Sequence, residues 1–263
     1  MHVEGKIVVV TGGAQGIGRA LCERFHAEGA ARIVVADRNA EGAAAVAQRI
    51  GGLPWACDVT NADEVARMVD RIEAEHGAID LYCSNAGILE YDPDFANAAS
   101  ASDDSWARSW AVNVMGHVHA ARAVLPSMIA RRGGTILNTV SAAGLLSQIG
   151  SATYSTTKHA ALGFTEYLAI THKDDGIKVF ALCPQGVDTA MMHGADSREA
   201  ALLDGMLSPE AVADAVIEGL AREDFLILPH PQVAGYVARR AQDHGRWISG
   251  MARLRRARTG AEL

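Results

Sequence analysis

A β-branched run that ends in a glycine loop limits what this chain can fold into more than any other feature. Ile7-Val8-Val9-Val10 is continuously apolar and reads as a buried strand. Thr11-Gly12-Gly13-Ala14-Gln15-Gly16-Ile17-Gly18 follows, and from Ile17 onward the pattern is helical. A strand that turns sharply into a helix leaves backbone N–H groups free at the positive helix end, which suits a pyrophosphate. Glycines are required there, because a Cβ blocks close approach of the phosphates or forces a bad φ. A second buried strand, Arg32–Ala36, ends in Asp37. Its carboxylate is placed to accept both hydroxyls of an adenosine ribose. The combination predicts a dinucleotide site rather than a structural turn.

The rest of the chain extends this pattern. Further strand-like runs are Leu53–Cys57, Asp80–Ser84, Thr135–Val140, Lys178–Cys183 and Phe225–Leu228, and helical patterns separate them. Short apolar strands alternating with helices imply a parallel sheet covered on both faces. The expected fold is α/β, a doubly wound Rossmann-type parallel sheet of about seven strands in one domain. Residues 1–230 should form the catalytic body and 231–263 a helical extension of it. Right-handed crossovers place all strand C-termini on one edge. The ligand crevice is therefore expected along Thr11–Gly18, Asp37, Asp58, Asn85-Ala86-Gly87, Ser141 and Pro184–Thr189.

Composition narrows the function classes. The 263 residues are 49% apolar, enough for one large core, and no linker or repeat divides them. Asn97–Asp104 reads as a loop. A net charge of −7 argues against a nucleic-acid partner. Cys22, Cys57, Cys83 and Cys183 lack disulfide or metal-ligand spacing, and no metal is expected. The first strand starts too early to leave room for a signal peptide, and no apolar run approaches a membrane span. A cytoplasmic protein without a membrane partner is the expectation.

The second strong signal is Tyr154-Ser155-Thr156-Thr157-Lys158. Tyr154 and Lys158 lie one helical turn apart on one face. Ser141 ends a strand thirteen residues earlier, so the intervening loop can return the helix beside it. Asn113 falls on the preceding long helix. With these residues in order, the chain resembles the short-chain dehydrogenase/reductase family in its compact branch. The matching elements are Thr11-Gly12-x-x-x-Gly16-x-Gly18, Asp58-Val59, Asn85-Ala86-Gly87, Asn113, Ser141 and Tyr154-x-x-x-Lys158.

The resemblance implies an interconversion of a secondary alcohol and a ketone or aldehyde, with a nicotinamide cofactor and Tyr154 as acid/base. Poising a phenol near pH ~7 instead of ~10 requires about 4 kcal/mol of preferential phenolate stabilisation. An ammonium about 4 Å away at an effective dielectric of ~20 supplies roughly that much. Lys158 is placed to provide it. Ser141 would orient the substrate oxygen by a hydrogen bond. By resemblance, Lys158 also holds the nicotinamide ribose and Asn113 holds a water that relays protons towards Lys158. By the same resemblance, Asp58 bonds the adenine amine, Asn85 positions the chain beside the ribose, and Val187 and Thr189 hold the carboxamide. The cofactor contacts expected are thus Gly12, Gln15, Gly16, Ile17, Gly18, Asp37, Arg38, Asp58, Val59, Asn85, Ala86, Gly87, Tyr154, Lys158, Pro184, Val187 and Thr189. NAD is favoured over NADP, because Asp37 repels a 2′-phosphate, with Arg38 blunting the margin.

Each residue also has a plainer reading. Ser141 could be a strand-end cap, Asn113 could satisfy backbone groups at a helix kink, and Asn85 could be a turn residue. Asp58 could be the N-cap of the helix Ala62–His76. His117, His119 and His159 fit helix packing as well as chemistry. The sequence departs from the family at Pro184-Gln185-Gly186-Val187-Asp188-Thr189, where Gln185 replaces a glycine beside the expected nicotinamide position. Its amide either reaches a polar substrate group or points outward.

Substrate specificity is expected from Ile88–Ser105 and Ala190–Leu207. The second segment carries Met191, Met192, His193, Leu202, Leu203 and Met206; its methionines favour a moderately apolar substrate, and the alternative is that these side chains pack under a short helix. Beyond the last strand, Val233, Tyr236, Val237, Ala241, His244, Trp247, Ile248, Met251 and Leu254 form one helical stripe, with Arg239, Arg240, Arg246, Arg253 and Arg256 on the opposite side. It is expected to pack over a substrate loop of its own or a neighbouring subunit, with Trp247 as principal anchor. By resemblance, the long helices Trp106–Arg131 and Tyr154–Lys173 pair between subunits, giving a homo-oligomer, a tetramer before a dimer. Two readings compete with the NAD-linked one: an NADP-linked carbonyl reductase, and a catalytically silent dinucleotide sensor.

Overall fold

A computed structural model describes residues 1–192 and 204–259, the last two as backbone. Among the described residues a seven-stranded sheet runs in the order β3-β2-β1-β4-β5-β6-β7. Its strands are β1 (Ile7–Thr11), β2 (Arg32–Asp37), β3 (Leu53–Ala56), β4 (Leu81–Ser84), β5 (Gly134–Thr139), β6 (Ile177–Leu182) and β7 (Leu226–Ile227). Every pairing is parallel. The chain reverses its direction of winding between β1 and β4, which opens the ligand crevice at their C-terminal ends.

Side chains alternate between the two sheet faces, so each strand serves two cores. Val8, Val10, Ile33 and Val35 pack under α1 (Gly16–Ala27), α2 (Ala40–Ile50) and α8 (Pro209–Arg222). Val9, Val34 and Ala36 face α3 (Ala62–His76), α5 (Gly116–Ala130) and α7 (Ala152–Thr171). Burial on both sides is why the central strands read as unbroken apolar runs. The edge strand β3 alternates instead, with Pro54 and Ala56 exposed. Proline is tolerated at such an edge because it withdraws no ladder donor.

The helix expected over Trp106–Arg131 begins earlier and is not uniform. α4 (Asp103–Trp110) leads through one π-helical turn, Ala111–Met115, into α5. Ser102 caps α4 by accepting the Ser105 N–H at 3.2 Å. The loop expected to reach Ser105 therefore stops three residues sooner. The short α6 (Ala142–Leu145) separates β5 from α7.

The C-terminal stripe is two helices rather than one, α9 (Gln232–Gln242) and α10 (His244–Thr259). Asp243 breaks it, with φ −152° and ψ 96°. Its carboxylate accepts the Arg246 N–H at 2.9 Å, so a competing helix start overrides the continuous apolar period. Val233 is fully buried and Trp247 only partly, while Ile248 is 60% exposed. The anchor of the extension is thus Val233 together with Trp247, and Ile248 lies outside the packed stripe.

Candidate active site

One cavity of about 700 Å³ runs along the C-terminal edge of the sheet. Its first end is the glycine turn. Gly12 has φ +67°, and a Cβ there would sit 3.0 Å from the Ala86 Cα. A Cβ on Gly18 would lie 2.1 Å from the Gly12 carbonyl oxygen, so glycine lets α1 start directly against β1. Gln15 precedes α1 and offers it no side-chain cap. The first N–H groups of α1 consequently face the cavity with no side chain in their way. Gly12, Gln15, Gly16, Ile17 and Gly18 all line it.

The adenine end is built by the next two strand ends. Asp37 closes β2, and its two carboxylate oxygens accept the Ala14 N–H at 3.1 Å and the Asn39 N–H at 2.9 Å. A carboxylate has lone pairs left after two such bonds, enough for ribose hydroxyls. Exposed Arg38 lies beside it on the same wall. Asp58 and Val59 line the cavity after β3. Asp58 is not the cap of α3: it accepts the Thr60 N–H at 2.9 Å and the Thr60 hydroxyl at 2.8 Å. Asn61 caps α3, accepting the Asp63 and Glu64 N–H groups. Its extended backbone immediately before the first helical residue gives it the position that Asp58 is too far upstream to take.

Asn85 ties three strand ends together. Its Nδ2 donates to the Thr11 carbonyl at 3.0 Å, and its Oδ1 accepts the Thr139 hydroxyl at 3.0 Å. Ala86 N–H donates to the Thr11 hydroxyl at 3.2 Å. The Asn85-Ala86-Gly87 turn is thereby pinned across the floor of the cavity. Past it, Pro184, Val187 and Thr189 line the wall after β6.

At the far end stand Ser141, Tyr154 and Lys158. Ser141 has φ +141° and ψ 155°, a conformation that an L residue holds at a cost of about 1–3 kcal/mol. Its Oγ accepts the Ala143 N–H at 3.1 Å, so it does cap α6 while facing the cavity. Lys158 is buried, and its ammonium donates to the Thr139 carbonyl at 3.0 Å. The nitrogen lies 5.5 Å from the centre of the Tyr154 ring. Burial pushes the Lys158 ammonium down to about pH 8, because little but that carbonyl replaces its lost water. The ammonium still carries its charge at neutral pH and can stabilise a phenolate.

Asn113 lies behind the cavity wall rather than on it. It sits in the π-helical turn, and its side chain holds the backbone of Ile88 at both ends, accepting the N–H and donating to the carbonyl at 2.9 Å each. It also donates to the Thr157 hydroxyl at 3.2 Å. A Cβ on Gly87 would lie 3.4 Å from both Asn113 Oδ1 and Lys158 Nζ, which places the three residues together. The backbone groups that Asn113 satisfies therefore belong to the neighbouring loop, not to its own helix. His117 and His119 are buried helix-packing residues. Nδ1 of His117 meets the Ser84 hydroxyl at 2.8 Å and that of His119 the Val59 carbonyl at 2.9 Å. Burial pushes His117 down to about 3 and keeps it neutral. His159 bonds the Ser155 carbonyl one turn back.

Gln185, Met191 and Met192 line the cavity at this end. His193, Leu202 and Leu203 lie outside the described residues. Leu146, Ser147 and Gln148 also line this end, and the sequence reading passed over them as mere connection. The only signal was their position between Ser141 and Tyr154. From the extension come Tyr236, Trp247, Met251 and Leu254. Contacts that fasten it over the site include Tyr236 hydroxyl to Asp204 at 2.9 Å, Arg240 to the Leu145 carbonyl, and Arg255, which donates to the Phe95 carbonyl and stacks 4.9 Å from the Phe95 ring centre.

A family model described as short chain dehydrogenase matches residues 6–200. The chain belongs to that family. It is 35% identical to 3beta-hydroxysteroid dehydrogenase 2 of Eggerthella lenta over 70% of this chain and 72% of the relative. It is 36% identical to sorbitol dehydrogenase of Cereibacter sphaeroides over 75% and 77%. A short-chain dehydrogenase/reductase from Burkholderia phymatum, solved in complex with NAD, superposes with a TM-score of 0.80 at 28% identity, covering 92% of this chain and 95% of that one. The protein is accordingly a short-chain dehydrogenase, an oxidoreductase of CH–OH groups that uses a nicotinamide cofactor. The glycine turn that a Cβ would fill, with its uncapped helix start, fits the pyrophosphate of such a cofactor.

Proposed function

We propose that this enzyme is an NAD-preferring dehydrogenase of a moderately apolar secondary alcohol, with Tyr154 as its acid/base. The observation that carries the reading is the continuity of one cavity from the glycine turn and Asp37 to Ser141, Tyr154 and Lys158. The cofactor, when bound, supplies the hydride acceptor or donor. In oxidation the Tyr154 oxygen takes the proton of the substrate hydroxyl, and in reduction it returns it. Lys158 stabilises the phenolate through its charge and holds the nicotinamide ribose. Ser141 orients the substrate oxygen, and its rigid backbone keeps that donor in place. Asn113 fixes the Ile88 loop and holds the relay water next to Lys158. Asp37 selects NAD by accepting ribose hydroxyls where NADP carries a phosphate.

The NADP-linked reading rests on Arg38 alone, which shares the wall with Asp37. Free buried cysteines support a reducing, cytoplasmic setting. A panel of secondary alcohols with NAD⁺ and NADP⁺, read by absorbance of the reduced nicotinamide, tests the function. A higher kcat/KM with NAD⁺ is expected. Equal or better use of NADP⁺ overturns the cofactor assignment, and absence of turnover with an intact NADH-binding site favours the silent sensor.

A further inference from the structure

The roof of the cavity carries a positive charge that the redox chemistry does not use. Between Gln232 and Thr259 the chain has seven arginines and one aspartate, in a protein whose net charge is −7. Arg239 is the member of this group that lines the cavity, next to Tyr236, Trp247, Met251 and Leu254. Its guanidinium carbon lies 4.8 Å from the centre of the Tyr236 ring. Stacking of this kind orients the guanidinium while leaving its in-plane N–H donors available. Among the described residues no carboxylate lies within ion-pairing distance of it.

Arg108, also in the lining, is held by Glu90 through bonds of 3.0 and 3.1 Å. Asp204 accepts the Tyr236 hydroxyl. Asp37 and Asp58 belong to the adenine end. Among the described residues, this end of the cavity thus combines apolar walls with the exposed guanidinium of Arg239, which has no ion-pair partner there. Such a guanidinium recognises a carboxylate through paired N–H donors. A neutral alcohol would gain nothing from it.

We propose that Arg239 anchors the carboxylate of an apolar hydroxy or oxo acid whose reacting carbon is held at Ser141 and Tyr154. This rests on the dehydrogenase reading and adds the substrate class to it. Octanoate and 1-octanol, which share a chain and differ in charge, are titrated calorimetrically at low salt into the free protein and into its NADH complex. Octanoate is expected to bind about fivefold tighter, the upper range for an exposed ion pair. The advantage should shrink with added salt. Arg239→Gln should erase it and leave NADH affinity unchanged. Equal or weaker binding of octanoate, binding of neither probe, or an advantage that survives Arg239→Gln overturns the proposal. Failure of the dehydrogenase reading registers separately, as lost NADH binding or turnover, while the probe comparison on the free protein still stands.

Discussion

The buried ammonium of Lys158 links catalysis to stability. Its folded pKa of about 8 lies below the 10.5 of a free lysine. Between those values the unfolded chain binds more protons, so stability rises with pH across that window. Below pH 8 the protein bears the full cost of burying the charge, on the order of 3 kcal/mol. Lys158→Met removes this dependence. The melting temperature of the wild type, followed relative to that of Lys158→Met, is expected to climb from pH 8 to 10.5. A constant difference contradicts the burial argument. Taking the difference cancels the buried thiol of Cys57, which burial pushes up to about 12 and which acts in the opposite direction; Cys183, whose thiolate interacts with the Lys158 ammonium, is changed to alanine in both proteins. Tyr154→Phe removes only a hydroxyl. Turnover is expected to fall about 10²–10⁴-fold, the usual worth of a general acid/base, with NADH affinity nearly unchanged. A variant keeping more than about a tenth of its activity refutes the assignment.

At the scale of elements, the strands were legible because they are short, largely apolar and soon followed by a glycine, proline or polar residue. All seven lie within one or two residues of where periodicity places them. The helices were less legible. The π-helical turn at Ala111–Met115 leaves no compositional mark, and the side chain it carries inward, Asn113, bonds the distant backbone of Ile88. The break at Asp243 was hidden because the apolar stripe continues through it. The extension over the substrate end yields a prediction. Truncation after Pro231 is expected to raise the substrate KM severalfold, as Tyr236, Trp247, Met251 and Leu254 leave the wall. The NADH dissociation constant should not move, because the cofactor groove is built from other elements. If the truncated protein fails to fold, Trp247→Ala provides the same comparison. Unchanged substrate kinetics in the soluble variant show that the extension only decorates the surface.

At the scale of the whole molecule, exposed apolar side chains bear on assembly. Trp110 and Ile129 on the α4–α5 arm, and Tyr167 and Ile170 on α7, are 43%, 39%, 67% and 74% exposed. Large apolar groups left in water on two adjoining helices make this the surface on which a second copy is expected. A homotetramer built on these helices is the expected state. Light scattering should show a drop in mass for the double variant Tyr167→Glu, Ile170→Glu, since charges facing each other across a two-fold interface repel. An unchanged mass places the interface elsewhere.

The sequence by itself determined the parallel sheet and the glycine turn, and it singled out Ser141, Tyr154 and Lys158, which the structure brings to one cavity. These depend on local periodicity, on glycines that a Cβ would obstruct, and on fixed spacing along single elements. It also left pairs of roles open that the structure shows to coexist: Ser141 caps α6 and faces the cavity. Tertiary structure alone decided that Asn113 grips Ile88 from behind the wall and that Asn61 rather than Asp58 caps α3. It alone brought Gln148, Arg239 and Trp247 to one substrate pocket. Those contacts join segments distant in the chain, and a periodic pattern shows that a face will be buried without showing what buries it.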